Sequence, residues 1–385
     1  MIPVHREAPD VARADQGSTR VCVVTTVHPP TDTRIFYREC KTLAAAGYEV
    51  ILLAPGADGR SSEGIEQIDL RRWRSRLLRL ALGQPLVFAS SMRQRADVYH
   101  LQDPELAPLG LVLKLLGKRV ILDVHEDVPQ QILAKSWIPR AIRPCLSRTY
   151  GGLERFAVRC FDATIAATQP IADRLRGRQT IVVRNYPILS MFSAPAVKED
   201  DFTAIYVGGL SEERGLWEMI EAVEGLRLPS GRRVRLRLVG PVHSESLRRR
   251  LLERNREGPV EWVGVVEPEQ VYQYLARAHV GLVCLHPVPR FIEALPVKLF
   301  EYMAAGLPVI ASDFPAWKEI LEAGQCGMTV DPLDAGALAE AIAFLVDHPE
   351  VCDGQGLRAR RAAEAEYNWD KEARKLIDVY ERVLS

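Results

Sequence analysis

No charge of one sign prevails in this chain: 50 lysines and arginines meet 50 aspartates and glutamates over 385 residues. That excludes a global field of the kind that draws nucleic acid or an acidic polymer, so a charged partner must be bound locally. Cysteine is sparse and unpatterned. The seven thiols form no CxxC and no zinc-ligand spacing, which excludes a disulfide framework and fits a reducing compartment. No hydrophobic run is long enough to span a bilayer; the most apolar, 106–117, is short and carries Lys114. The first twenty residues hold Pro3, Pro9 and mixed charges in place of the apolar core of a signal peptide. Residues 1–18 therefore read as a flexible tail, and the protein is expected to stay in the cytoplasm. No GxGxxG follows the first strand, which removes the main support for a nicotinamide or flavin dehydrogenase.

What is present is a repeated grammar. Nearly half of the positions are apolar, 47%, in a chain longer than one core fills, so two domains are expected. Apolar, β-branched runs at 21–26, 50–54, 98–101, 119–123, 164–167 and 181–183 read as strands, with helices at 34–46 and around 106–116. A polar, proline-bearing stretch through Asp201 has neither period and reads as a linker. The grammar then restarts with strands at 203–207, 233–239, 260–263, 280–284, 308–311 and 328–330. Helices are expected between them at 216–225, 247–254, 269–276, 298–305, 316–322 and 335–346, and a last one at 371–384. This is an α/β chain of two Rossmann-like, doubly wound domains, 1–190 and 191–370, facing across a cleft, with 371–385 following as a C-terminal helix. Ligands of such sheets bind beyond the carboxyl ends of the strands.

The most informative segment is 293–312, Glu-Ala-Leu-Pro-Val-Lys-Leu-Phe-Glu-Tyr-Met-Ala-Ala-Gly-Leu-Pro-Val-Ile-Ala-Ser. Its spacing puts Glu293 at a helix entrance and Glu301 about one turn inside, where two acceptor-only carboxylates can grip two sets of hydroxyls. Lys298 falls in the first turn, where its charge joins helix amides in holding a diphosphate. The plain alternative is an amphipathic helix with solvated charges. The segment resembles the donor-site signature of family 4 glycosyltransferases, which have the GT-B fold. The resemblance implies that Glu293 contacts the transferred hexose, Glu301 binds the ribose hydroxyls and Lys298 the diphosphate, with Leu295 and Leu299 in the donor-binding set.

A second stretch, Tyr206-Val-Gly-Gly-Leu-Ser-Glu-Glu-Arg-Gly-Leu, is similar to the family's strand, glycine turn and basic helix start. Gly208 and Gly209 let amides approach phosphate oxygens and Arg214 supplies a cation; a helix-capping turn with an exposed arginine is the plain alternative. Many members carry a basic residue where this chain has Gly209, a departure that weakens stabilisation of the leaving diphosphate unless another cation substitutes. In the first domain, the loop holding His28, Asp32 and Arg34 resembles that of bacterial polysaccharide glycosyltransferases and is expected to line the acceptor site. Asp103, directly after a strand, joins it on position alone, with a turn-forming role before Pro104 as its rival. His125, in Asp-Val-His-Glu-Asp, stands where the family keeps a histidine near the sugar's primary hydroxyl; a satisfied histidine in a buried loop is the rival. The catalytic set is thus His125, Arg214, Glu293 and Lys298.

The resemblance implies retaining transfer from a nucleotide sugar to a glycan or lipid-linked acceptor, without cofactor or metal, in keeping with the missing Asp-x-Asp pair near the donor motif, and a C-terminal helix, 371–385, that crosses back to the first domain. The arginine-rich stretch 71–80 carries apolar residues at helical spacing. It fits peripheral contact with an anionic membrane at the cell's inner face, and equally a solvated helix packed on its domain. A GT-B sugar-nucleotide epimerase and a silent nucleotide-sugar-binding subunit remain open as alternatives.

Overall fold

A computed structural model describes residues 18–73, 79–135, 138–177, 179–192, 197–254 and 258–385. The expected tail, apart from its last residue, and positions 74–78 of the arginine-rich stretch lie outside the described residues. The chain divides into two compact units. One comprises the described residues of Met1–Pro129, Ile138–Val182 and Leu376–Ser385; the other, those of Gln130–Trp137 and Val183–Lys375.

The first unit is built on eight strands: β1 (Arg20–Val24), β2 (Glu49–Pro55), β3 (Ser61–Ser62), β4 (Ile65–Leu70), β5 (Val98–Leu101), β6 (Arg119–Val124), β7 (Ala163–Ala166) and β8 (Thr180–Val182). Their order across the sheet is β3-β4-β2-β1-β5-β6-β7-β8, parallel except for the β3–β4 pair. The inner strands read as continuous Val/Ile/Leu runs because helices cover both faces: Val21 to Val24 and Val120 to Val124 are wholly buried. From β1 the chain moves to β2 on one side and later to β5 on the other. The loops after β1 and β5 therefore part at the switch point where such sheets take ligands.

The second unit repeats the plan with six parallel strands: β9 (Phe202–Val207), β10 (Val234–Val239), β11 (Val260–Gly264), β12 (Val280–Val283), β13 (Val309–Ser312) and β14 (Gly327–Val330). They are ordered β11-β10-β9-β12-β13-β14, so its switch point lies between β9 and β12. Trp317, Tyr302, Phe300 and Met303 fill one face of this sheet. Both units are Rossmann-like parallel sheets, as the alternating pattern predicts. Among the elements that the pattern left out are strands β3 and β4 and the helices Gln84–Arg93, Val128–Ala134, Arg143–Cys160, Gln169–Leu175 and Pro349–Ala365.

Candidate functional site

At the switch point of the first unit, Asp103 ties the loop after β5 to the one after β1. It accepts from the Thr25 hydroxyl at 3.0 Å, the Thr26 amide at 2.6 Å and the Thr26 hydroxyl at 3.1 Å, and is only 2% exposed. His28 stands over this knot, Nε2 3.5 Å from Asp103 and Nδ1 3.4 Å from Asp32. Asp32 in turn caps the helix that follows, accepting from the amides of Arg34 at 2.9 Å and Ile35 at 3.0 Å. That helix, Thr33–Cys40, opens with wide π-type turns. The hydrogen bond from Asp32, with Asp103 adding, raises His28 above the ordinary imidazole range despite burial. Burial alone would raise Asp32, but His28 and the helix amides hold it below the usual carboxylate range.

Beneath lies a buried charge network. Arg34 places Nε 2.9 Å and Nη2 2.8 Å from Asp123, and Nε also 3.1 Å from Glu39. Gln102 donates to Glu39 at 2.6 Å, and Tyr380 lies with its hydroxyl 2.9 Å from Nδ1 of His100. Burial, with Asp123 adding, pushes Glu39 well above the carboxylate range, while Arg34, then His125, hold Asp123 below it against burial. Burial lowers His100 to about 4, so it is neutral. Glu39, His100 and Asp123 bring ligand atoms within 4.8 Å of one another, but Arg34 already supplies the cation that the two carboxyls share.

Two acceptor-side expectations are corrected here. Arg34 is 5% exposed and engaged by Asp123 and Glu39, so it organises the floor of the loop instead of lining a pocket. Asp103 is spent on the two threonines and likewise holds the loop in place. His125 is half-buried, its Nδ1 3.4 Å from Asp123 and its ring 5.3 Å from that of His28, edge to face. His28 and His125 are the side chains that the structure brings together. Of the arginine-rich stretch, Arg79 is held in a bidentate pair with Glu105 at 2.6 and 3.0 Å.

In the second unit, β9 runs into Gly208, whose φ of +139° favours glycine. A Cβ there would lie 2.2 Å from Cε and 2.5 Å from Nζ of Lys298, so the absent side chain is what lets the lysine lie across the backbone. Gly209 is open, its nearest neighbour being Nη1 of Arg214, 4.0 Å from where a Cβ would stand. Arg214 ends the short turn Glu212–Arg214. Gly215, at φ +69°, then starts helix Leu216–Gly225 and packs against the Cys284 carbonyl. The Tyr206 hydroxyl donates to the Gly209 carbonyl at 3.1 Å, and its ring lies 5.8 Å from the Lys298 ammonium. Burial first, then Arg214, pull Lys298 down to about 8 against the opposing pull of Glu301. Two cations thus converge on a glycine pair at the start of helix Val297–Ala304, an arrangement that suits a diphosphate.

Glu301 is the fifth residue of that helix and Lys298 the second, as the spacing predicts. Glu293 is placed differently. It is exposed and ends the short turn Pro289–Ile292, before the extended residues that lead into the helix, so it does not stand at the entrance of the helix bearing Glu301. Trp317 fixes this connection by donating to the Ala294 carbonyl at 2.6 Å. Leu295 is half-buried beside the connection, and the Leu299 side chain is wholly buried in the core, which leaves only its backbone to the donor side. Sequence reasoning missed Thr25, Thr26, Glu39, Gln102 and Tyr380 in the first unit and Tyr206 and Trp317 in the second. Gln102 and Tyr206, at strand ends beside chosen residues, carried a positional signal; Glu39 and Tyr380 sit on helices with none.

Residues 33–188 match the family described as Glycosyl transferase 4-like domain and 190–365 that described as Glycosyl transferases group 1. The chain is 23% identical to a glycogen synthase from Mycobacterium tuberculosis, over 94% of each chain. It is 29% identical to a phosphatidyl-myo-inositol mannosyltransferase from Mycobacterium leprae, over 75% of this chain and 74% of the relative. Among solved structures, HepE from Anabaena in complex with UDP-glucose superposes with a TM-score of 0.68 at 14% identity, over 94% of this chain and 99% of that one.

Proposed function

The chain belongs to family 4 of the GT-B glycosyltransferases, and on that premise we propose that it is a retaining, metal-independent hexosyltransferase. It takes a sugar from a nucleotide diphosphate donor to a glycan or lipid-linked acceptor in surface polysaccharide or glycoconjugate assembly, at the cytoplasmic face of the cell membrane. The observation that carries this reading is the pair Lys298 and Arg214 converging on Gly208 and Gly209. Fixed cations and helix amides meet the charge that grows on the diphosphate as the anomeric bond breaks, without reorganising at that moment. The acceptor oxygen forms its bond on the same face, and its proton passes to the departing phosphate oxygen. No divalent ion enters this scheme.

Glu301 takes the ribose hydroxyls and Glu293, exposed, the transferred sugar. His125, oriented by Asp123, serves the sugar's primary hydroxyl, and His28 with Asp32 the acceptor. A uridine carrier is favoured by the UDP-glucose seen in HepE. The test is mass-spectrometric detection of nucleotide release from uridine, guanosine and thymidine diphosphate sugars with EDTA present. We expect release from one donor, quickened by added glycan acceptor and lost in Arg214→Ala. A requirement for divalent ion would overturn the metal-free scheme. Interconversion of the sugar nucleotide without acceptor would make the protein an epimerase, and binding without turnover a silent subunit.

A further inference from the structure

Helix Arg143–Cys160 exposes what most helices bury. Ile142 is 52% exposed, Leu146 45%, Leu153 65% and Phe156 58%, and these four recur at spacings of three, four and seven along one stripe. The opposite face is seated on the unit through Ser147, Gly151, Glu154, Ala157 and Val158. The charge of the segment is as one-sided as its hydrophobicity. Between 138 and 161 there are five arginines and a single acid, in a chain whose total charge is zero. That acid, Glu154, is buried and paired with Arg174. Arg148 and Arg159 are exposed on one flank of the apolar stripe, and helix Ala107–Leu115, which packs against Arg143–Cys160, ends in Leu115, 88% exposed.

We propose that this helix face is a membrane-docking surface that lies in the interface of an anionic bilayer, its Ile142/Leu146/Leu153/Phe156 stripe among the upper acyl chains and its arginines at the headgroup phosphates. An apolar stripe bordered by cations and free of exposed acids complements a negatively charged lipid surface in both respects. The inference stands apart from the donor chemistry, since membrane binding is read without turnover.

Cys145 and Cys160 are exposed on this helix while the other five cysteines are buried, so a polarity-sensitive fluorophore attaches at the surface in question. The full-length protein is mixed with phosphatidylglycerol–phosphatidylcholine vesicles, or with phosphatidylcholine vesicles alone. We expect a blue shift and co-sedimentation with the anionic vesicles only, suppressed near 1 M salt, where the screening length is about 3 Å. Arg148→Gln and Arg159→Gln each lower the partition roughly fivefold, the factor for about 1 kcal/mol per basic residue. Leu153→Ser with Phe156→Ser removes it while the melting temperature stays at the wild-type value, because the replaced side chains are exposed. Absence of binding, or binding that is indifferent to lipid charge or to these substitutions, overturns the proposal. So does a wild-type dimer that Leu153→Ser and Phe156→Ser dissolve, which would give the stripe to a second copy of the chain.

Discussion

Lys298 is held at about 8 by burial and by Arg214, below the value near 10.4 of an unfolded lysine. Its charge therefore costs stability at neutral pH, and stability rises between the two values as the folded state sheds its proton first. A bound diphosphate needs that charge. Affinity for a nucleoside diphosphate, measured by calorimetry, is expected to fall as pH climbs through about 8. Lys298→Met should weaken binding at pH 7 by roughly ten- to hundredfold, the 1.5–3 kcal/mol of a hydrogen bond to a charged group. It should also flatten that pH profile and raise the melting temperature. A variant that loses both affinity and stability would show that the lysine is structural. In the first unit the same reasoning separates Glu39 from Arg34. Burial and the neighbouring Asp123 favour the neutral form of Glu39, so Glu39→Gln keeps an acceptor for Gln102 and should leave denaturant unfolding almost unchanged. Arg34→Met strands Asp123 in the interior and should cost about 3–5 kcal/mol in the same experiment. At this scale the sequence announces residues at strand ends and in spaced motifs. It is silent on Glu39 and Tyr380, whose partners lie far along the chain and on other elements.

The elements divide in the same way. Strands such as β2 and β12 were legible because, buried on both faces, they read as apolar runs, and their boundaries fall within one or two residues of those expected. Helix Arg143–Cys160 was not, because apolar residues occupy its solvent side as well as its buried one and erase the contrast on which periodicity depends. The glycine turn after β9 was legible as a turn, but the different duties of its two glycines were not. Gly208 has no room for a side chain, whereas Gly209 faces open space at an ordinary φ. Gly208→Ala should therefore displace Lys298 and weaken nucleotide binding as much as Lys298→Met does. Gly209→Lys should fold normally and bind nucleotide at least as tightly as the parent, since it adds the cation that many relatives carry there. Equal effects of the two substitutions, read by calorimetry alongside thermal melting, would rule out Lys298 as the reason for Gly208.

At the scale of the whole molecule, helix Trp369–Leu384 belongs to both units, its first part to the second and its last to the first. The Trp369 amide donates to the Pro187 carbonyl at 2.8 Å and Glu372 accepts from the Arg184 amide at 2.8 Å, so the start of the helix is anchored in the second unit. Leu376, Val379, Tyr380 and Val383 are then buried, with Tyr380 against Tyr48 and bonded to His100 beside the Glu39–Asp123 network. The periodicity of 371–384 revealed a helix, but no local pattern says which surface a C-terminal helix will cover. Removing residues 376–385 takes a cover of four apolar side chains from the first unit and leaves the His100 nitrogen without its hydroxyl partner. It leaves Lys298, Arg214 and Glu301 untouched. In differential scanning calorimetry the truncated protein should show a lowered first-unit transition, and by titration it should bind nucleoside diphosphate with nearly the affinity of the full chain. Loss of nucleotide binding on truncation would mean that the last turns of this helix support the donor unit as well, and that the two units do not hold their ligands independently.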